Sequence, residues 1–124
     1  MNELTEAIIG CAFKVANQLG SGFLEKVYEN ALALELKKTG LNVKQQFPIS
    51  VLYDNQVVGD YIADILVADT VIVELKSVKA IDAVHMAQCL NYLKATSLMI
   101  CLLINFGGER LEIKRIVNNF KESS

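Results

Sequence analysis

Two charged residues lie within an apolar segment, TVIVELKSV, which covers residues 70–78. Alternation along a β-strand places Glu74 and Lys76 on one face with Ile72, while Val71, Val73 and Leu75 share the other face. A carboxylate can bind a divalent cation, and a lysine ammonium can orient water or offset the charge of a phosphate. The spacing of Glu74 and Lys76 therefore indicates a site for chemistry on a strand.

A second acid, Asp64, stands on the preceding apolar strand, between Ile62 and Leu66 in the alternating pattern. If the loop that joins the two strands is centred on Asp69, Asp64 faces Glu74 across an antiparallel pair. Directly opposed residues have Cβ atoms about 5 Å apart, and two carboxylates there repel by about 3 kcal/mol at an effective dielectric constant of about 20. A loop one residue shorter or longer would change the register, so the sequence leaves this pairing open.

Two interpretations fit these charges. In the first, Glu74 and Lys76 form an ordinary ion pair on a solvated strand face, which contributes little to stability. In the second, Asp64 and Glu74 converge on Mg²⁺ or Mn²⁺, which prefer hard oxygen ligands, and Lys76 positions water or a phosphate. Asp64, a spacer of nine residues and then Glu74-x-Lys76, with a helix before and a helix after, favour the metal site.

Two helices supply further polar side chains. Glu25 lies near the start of the second predicted helix, where the helix dipole would favour an acid even without a function. His85, Gln88 and Tyr92 are spaced i, i+3 and i+7 and form one stripe on the helix after Lys76. A buried polar stripe must find partners, so it is either a structural network or a set of groups that hold carboxylates or a phosphate. No step requires His85, and we leave it out of the predicted site.

The elements that must position these residues follow from hydrophobic periodicity. We expect one α/β domain over residues 1–124, with helices and strands in the order αα-βββ-α-β and an uncertain last element. Asp54-Asn55 suits a hairpin turn, Thr39-Gly40 a helix end, and Asp82 a helix N-cap. The predicted helices cover about 4–19, 23–38 and 81–96; the predicted strands cover 48–53, 56–67, 70–75 and 97–105, and residues 111–117 form a strand or short helix.

Composition limits the class of protein. The chain has 124 residues, 52% of them hydrophobic, and a formal net charge of −2. No apolar run reaches the roughly 18 residues of a membrane span, and the N-terminus lacks the pattern of a secretory signal, so we expect a cytoplasmic protein without a membrane partner. The apolar excess indicates a buried interface and hence a homodimer.

The cysteines do not indicate a zinc site. Cys11, Cys89 and Cys101 are far apart, each lies in an apolar segment, and no CxxC or Cys/His spacing occurs. We therefore expect three buried thiols in a reducing compartment.

The pattern Asp64…Glu74-Leu75-Lys76 resembles the signature of the PD-(D/E)XK nuclease superfamily. Ala63 stands where that signature has its proline, a position at which the proline is often missing. The predicted element order agrees with the common core of the superfamily. The resemblance implies a restriction-endonuclease-like fold, in which a mixed β-sheet is flanked by helices.

Two further motifs carry the resemblance. The segment GFLEKVY, with Gly22, Glu25 and Tyr28, resembles the GxxExxY family, a group of small bacterial and archaeal proteins placed in the same superfamily. Gln88-x-x-x-Tyr92 is similar to the motif in the helix after the lysine strand of RecB-type exonucleases. The resemblance extends over nearly the whole chain.

This resemblance implies a divalent-metal-dependent phosphodiesterase that acts on nucleic acid, DNA ahead of RNA, with Mg²⁺ or Mn²⁺ as cofactor. Lys76 would position the attacking water, and Glu25 would complete the metal shell or orient water. The expected metal ligands are Asp64, Glu74, Leu75 through its carbonyl oxygen, and Glu25. The expected catalytic residues are Lys76, Glu25, Gln88 and Tyr92.

A second hypothesis is a binding or assembly module that has the nuclease fold but hydrolyses nothing. The complete acidic set argues against it, whereas the small number of basic residues argues for it. A long duplex needs many phosphate contacts from lysine and arginine. The densest basic cluster lies near the C-terminal end and consists of Arg110, Lys114, Arg115 and Lys121.

Overall fold

The structure is a computed structural model that describes residues 2–118. Within this range the elements follow the order αα-βββ-α-ββ, which confirms the predicted α/β class and resolves the last element as a strand. Lys121, of the predicted basic cluster, lies outside the described residues. The elements are α1 (Asn2–Leu19), α2 (Glu25–Lys38), β1 (Val43–Tyr53), β2 (Gln56–Val67), β3 (Val71–Lys76), α3 (Ala83–Thr96), β4 (Ile100–Asn105) and β5 (Glu112–Val117).

The strands form one mixed sheet in the order β1-β2-β3-β4-β5. β1, β2 and β3 pair antiparallel, β3 and β4 pair parallel, and β4 and β5 pair antiparallel. A parallel pair needs a crossover connection, and α3 supplies it between β3 and β4. The strand that carries Glu74 and Lys76 therefore lies at the centre of the sheet.

Helices cover both faces of the sheet. On the α1–α2 face, side chains of both helices pack against Val73 and Leu75 of β3, and on the α3 face Leu93 packs near Ile72. All six residues of β4 are buried, as expected from its continuous apolar sequence. The three cysteines are free and buried, which confirms the prediction of three buried thiols. The reducing compartment stays a prediction.

The hairpin between β2 and β3 has the register expected for a loop centred on Asp69, which the sequence had left open. Val67 pairs with Val71 and Ile65 pairs with Val73, so the loop is centred on Asp69. Ala68 and Asp69 adopt left-handed conformations, with φ of 53° and 55°. This register brings Asp64 and Glu74 to facing positions just beyond the last regular pair of the two strands.

Several predicted element starts differ from those in the structure, including β4, which begins at Ile100 rather than at residue 97. α2 begins at Glu25 rather than near residue 23, with Leu24 as its N-cap. β1 begins at Val43, five residues before the predicted 48–53 strand. Gln46 has a φ of 56°, and the alternation changes face there: Val43 packs on the α1–α2 face and Phe47 on the α3 face. This change of face conceals the period-two pattern from which a strand is predicted.

No helix in the described part of the chain is long and apolar enough to cross a membrane.

Candidate active site

The carboxylates of Asp64 and Glu74 meet where β2 and β3 separate. The Glu74 carboxylate accepts a hydrogen bond from the Asp64 backbone N–H, at 2.8 Å to Oε2. The Asp64 carboxylate accepts one from the Leu75 N–H, at 2.8 Å to Oδ2. Each acid is thus fixed by a backbone amide of the opposite strand, and this exchange replaces the next pair of ladder hydrogen bonds.

Burial of this pair is electrostatically unfavourable. Glu74 is 4% exposed, and burial raises its pKa to about 8, with repulsion from Asp64 as the next cause. Burial also raises the pKa of Asp64, and the charges of Glu29 and Glu25 add to the rise, against the hydrogen bond from Leu75. Lys76 opposes both rises. The positive charge near the two acids is therefore too small to offset their burial and mutual repulsion.

The two acids supply some, but not all, of the oxygen ligands that a divalent cation needs. One oxygen of each acid, Asp64 Oδ1 and Glu74 Oε1, accepts no hydrogen bond from residues 2–118. These two oxygens are hard donors of the kind that Mg²⁺ and Mn²⁺ prefer. No third acidic, histidine or cysteine side chain of the described range joins them in a group that could hold an ion. Water or a backbone carbonyl would have to complete the coordination.

The ion-pair interpretation of Glu74 and Lys76 is wrong. Glu74 is buried rather than solvated, and the Lys76 ammonium forms no salt bridge with any described residue. Lys76 is half-buried at the end of β3. The next residue, Ser77, donates a hydrogen bond to the Phe23 carbonyl oxygen at 3.2 Å, which ties the lysine strand to the loop before α2.

That loop presents Glu25. Gly22 has a φ of 108°, a conformation that favours glycine. The Tyr28 hydroxyl donates to the Gly20 carbonyl oxygen at 2.6 Å and accepts from the Phe23 N–H at 3.2 Å. Tyr28 is fully buried, as expected for a packing aromatic. Tyr28 therefore fixes the turn that precedes α2.

Glu25 is exposed and is the first residue of α2. Its charge raises the pKa of both Asp64 and Glu74, so it lies within electrostatic reach of the pair. It lines a shallow depression with Ser77, beside the end of β3. Its contribution to metal binding, direct or through water, stays a prediction.

Glu29 is a buried acid near this site that the sequence analysis did not single out. It is 3% exposed and forms a salt bridge with Lys26 at 3.1 Å. Its carboxylate also accepts hydrogen bonds from the amides of Gln45, at 2.7 Å, and Gln46, at 3.0 Å. The spacing i, i+4 from Glu25 was the available signal, because it places both acids on the same side of α2.

The residues of α3 fall into two groups. His85 and Asp82 form a capping box at the helix start: Asp82 Oδ1 accepts from the His85 N–H, and His85 Nδ1 accepts from the Asp82 N–H. This confirms Asp82 as the N-cap and explains His85 structurally. Tyr92 is buried, and burial, followed by the charges of Glu74 and Asp64, raises its pKa. Gln88 lies one turn away and lines a cavity with Tyr92.

The loop that follows Lys76 is held by Asn105, which is fully buried at the end of β4. Asn105 Oδ1 accepts from the N–H groups of Val78 and Gly107, and Nδ2 donates to Val78 O and Glu112 Oε1. A Cβ atom on Gly107 would lie 2.4 Å from the Val78 nitrogen, so only glycine fits. We call these contacts the Asn105 clamp.

Comparison with known proteins identifies the superfamily of this chain and a solved structure with a similar fold. The sequence model of the PD-(D/E)XK nuclease superfamily matches residues 2–116. The fold is similar to the crystal structure of SSO0001, with a TM-score of 0.60 and 16% identity, over 78% of this chain. The match covers 52% of that chain, so this protein spans about half of its length. No curated protein matches significantly. The chain thus belongs to the PD-(D/E)XK nuclease superfamily.

Proposed function

We propose that this protein hydrolyses phosphodiester bonds of nucleic acid in a reaction that depends on a divalent metal ion. One observation carries the proposal: Asp64 and Glu74 are held together by opposing backbone amides, poorly compensated in charge, with one oxygen of each open. Superfamily membership supports the reaction class. The arrangement suits a cation that would bind there and favour the ionised form of both acids.

The chain's own residues would divide the work. Asp64 and Glu74 would hold Mg²⁺ or Mn²⁺, and the Leu75 carbonyl oxygen would be a third ligand. When bound, such a cation supplies Lewis-acid chemistry, polarising phosphate oxygens and lowering the pKa of water. Lys76 would orient the attacking water and offset charge on the phosphate, as expected for an ammonium without a carboxylate partner. Glu25 would orient water from the start of α2.

Gln88 and Tyr92 would act from the α3 side. Tyr92 supports this role because it lies within electrostatic reach of Glu74 and Asp64. The Gln88 amide makes no hydrogen bond with the described residues, so it is available to a substrate phosphate or a base. Both residues would contact substrate rather than metal.

We also infer that the chain is of the GxxExxY type. Each motif residue has a separate physical role: Gly22 permits the turn, Glu25 begins α2 beside the site, and Tyr28 fastens the turn to the core. The three roles together explain why these residue types occur at this spacing.

The test is cleavage of labelled single-stranded DNA, duplex DNA and RNA in Mg²⁺, in Mn²⁺ and in EDTA. We expect cleavage with either ion, none in EDTA, and DNA as the better substrate. Asp64→Asn should abolish it. Asp69→Asn is the matched control, because Asp69 lies in the exposed β2–β3 turn and pairs with Lys44. Equal loss in both variants, or cleavage that persists in EDTA, would contradict the proposal.

The second candidate is an inactive binding or assembly module. It is favoured by the absence of a three-ligand group in residues 2–118 and by the net charge of −2. It predicts no cleavage with either ion at any concentration, together with unchanged melting on addition of Mg²⁺.

The expected homodimer, cytoplasmic location and single domain over residues 1–124 stay predictions. Light scattering at tens of micromolar tests the dimer: a monomer mass at that concentration would contradict it.

A further inference from the structure

A cavity of about 260 Å³ lies between α3 and the β1–β2 hairpin. This volume is slightly below the roughly 300 Å³ at which sites for drug-sized ligands begin, so the cavity suits one small group. It opens into a wider groove of about 530 Å³ that runs past Leu52 and Lys94. The two spaces share Val51 and Tyr61, so they form one continuous surface.

The lining of the cavity combines rings, apolar walls and amides. The rings of Tyr61 and Tyr92 lie 5.8 Å apart and are tilted by 52°. Val51 and Val84 supply apolar wall, and the amides of Gln88 and Asn91 reach the same space. Neither amide forms a hydrogen bond with the residues that the structure describes. Stacking surface together with free donor and acceptor groups is the combination that binds an unpaired nucleobase.

The cavity adjoins the acidic pair. Tyr92 lines the cavity and packs in the same buried cluster as Ala63 and Ile72, which lie next to Asp64 and two residues before Glu74. A base in the cavity would therefore belong to a nucleotide beside the scissile phosphate. Lys94 lines the adjoining groove and has no salt bridge among residues 2–118, so its ammonium could meet a neighbouring phosphate.

The charge balance favours binding through bases. The net charge is −2, and Lys26, close to the site along α2, already pairs with Glu29. Proteins that bind long duplexes depend on many phosphate contacts, whereas stacking supplies about 1–3 kcal/mol per base without needing such contacts. A nuclease with a net negative charge depends more on base stacking, so it would bind its substrate more readily as a single strand than as an intact duplex.

We propose that the cavity lined by Tyr61, Tyr92, Gln88 and Asn91 binds one unstacked base next to the scissile phosphate, which makes single-stranded nucleic acid the preferred substrate. Tyr61 provides the stacking surface, and the two amides contact the base edge. This inference rests on the proposed nuclease function and specifies its substrate.

The test is equilibrium binding of a fluorescent single-stranded DNA 12-mer in Ca²⁺, with strand integrity checked on a gel. An otherwise identical abasic strand and a blunt duplex serve as comparison probes. Tyr61→Leu keeps apolar packing but removes the ring, and Tyr61→Phe keeps the ring. Tyr53→Leu is the matched control, because Tyr53 is 71% exposed at the hairpin end and does not line the cavity.

The wild type should bind the single strand more tightly than either comparison probe. Tyr61→Leu should weaken that binding by about fivefold to a hundredfold. Tyr61→Phe and Tyr53→Leu should stay within about twofold of wild type. Tyr61 is 50% exposed, so its variants should melt within a few degrees of wild type.

Three results would overturn the base pocket: equal affinity for all three probes, no binding of the single strand by wild type, or unchanged binding by Tyr61→Leu. A change in solution mass caused by Tyr61→Leu alone would also overturn it, because it would assign the surface to a second copy of the chain. Failure of the nuclease proposal is separate, since it appears as absence of cleavage in Mg²⁺ and Mn²⁺.

Discussion

Glu29 and Glu74 are buried almost equally, at 3% and 4% exposure, but their surroundings differ. Glu29 receives a lysine ammonium and two glutamine amides. Glu74 receives one backbone amide and faces a second acid. The first carboxylate is compensated within the protein, and the second is not.

The difference separates a structural acid from a functional one. A buried charge normally persists only when it is paired and hydrogen-bonded, as Glu29 is. An acid left poorly compensated costs stability, and such costs concentrate at sites where a ligand provides the missing interaction. Burial alone therefore does not identify the functional carboxylate, whereas the partner set does.

The largest expected effect concerns the lysines of the two regions. Lys76→Met should lower the rate of cleavage by at least about a hundredfold, because it removes the charge that positions water and offsets the phosphate. Metal affinity, measured by calorimetry, should be unchanged or higher, since a competing cation is gone. Lys26→Met removes the cation of Glu29 and is the matched control. It should leave cleavage within a few-fold of wild type; equal losses would mean that the two regions do not differ in function.

The next effect is metal linkage, measured by four melting curves: wild type and Asp64→Asn, each in EDTA and in Mg²⁺. At pH 8.5 in EDTA the variant should melt higher, because it loses a repulsion of about 1–3 kcal/mol. Mg²⁺ should reverse the order, since it stabilises only the wild type, by about 2.7 kcal/mol at a hundredfold excess over its dissociation constant. Four equal midpoints would contradict the metal site.

The pH dependence of the metal-free protein should distinguish Glu74. Its folded-state pKa of about 8 lies above the ordinary value of 4.5, so the folded state retains a proton that the unfolded state loses. Stability from this group is complete below about pH 4.5 and is lost as pH rises towards 8. Chemical denaturation should show this loss as a fall in the free energy of unfolding as pH rises from about 5 to 8. Glu74→Gln should flatten the curve; a wild-type slope in that variant would show that another group causes it.

The smallest expected effect is on the free energy of unfolding, which two matched substitutions should change in opposite directions. Glu29→Gln should destabilise the protein by about 1–2 kcal/mol, because it weakens charge-assisted hydrogen bonds from Lys26 and two amides. Glu74→Gln should stabilise the metal-free protein at pH 8.5, because it removes an uncompensated charge. Urea unfolding measures both. If both variants lose stability equally, the comparison between the two acids fails.

The sequence predicted what depends on local pattern. Period-two alternation placed Asp64 and Glu74 on facing strands if the loop was centred on Asp69, and the structure shows that this register is the one formed. The mixed sheet followed from the αα-βββ-α-β order. β4 was identified because a continuous apolar run is typical of a strand buried on both faces. These signals lie within the segments that they describe.

The missed features depend on contacts between distant segments. Glu29 accepts hydrogen bonds from Gln45 and Gln46, which lie on β1. Neither periodicity nor a motif indicates these partners. The start of β1 was predicted too late because Gln46 has a left-handed backbone conformation, which reverses the face on which the following side chains lie. The Asn105 clamp likewise joins the β3–α3 loop to β4 and β5, and polar residues at strand ends carry no signal that identifies such partners.

The Asn105 clamp also has a consequence for biosynthesis. Asp64, Glu74 and Lys76 leave the ribosome before Asn105, which fixes the Val78 backbone, and before Glu112, which accepts a hydrogen bond from the Ile81 N–H. A nascent chain that ends after β3 thus contains the acids and the lysine but lacks the strand and the clamp that hold the lysine end in place. We therefore expect the loop after Lys76 to be fixed only once β4 and β5 have been made.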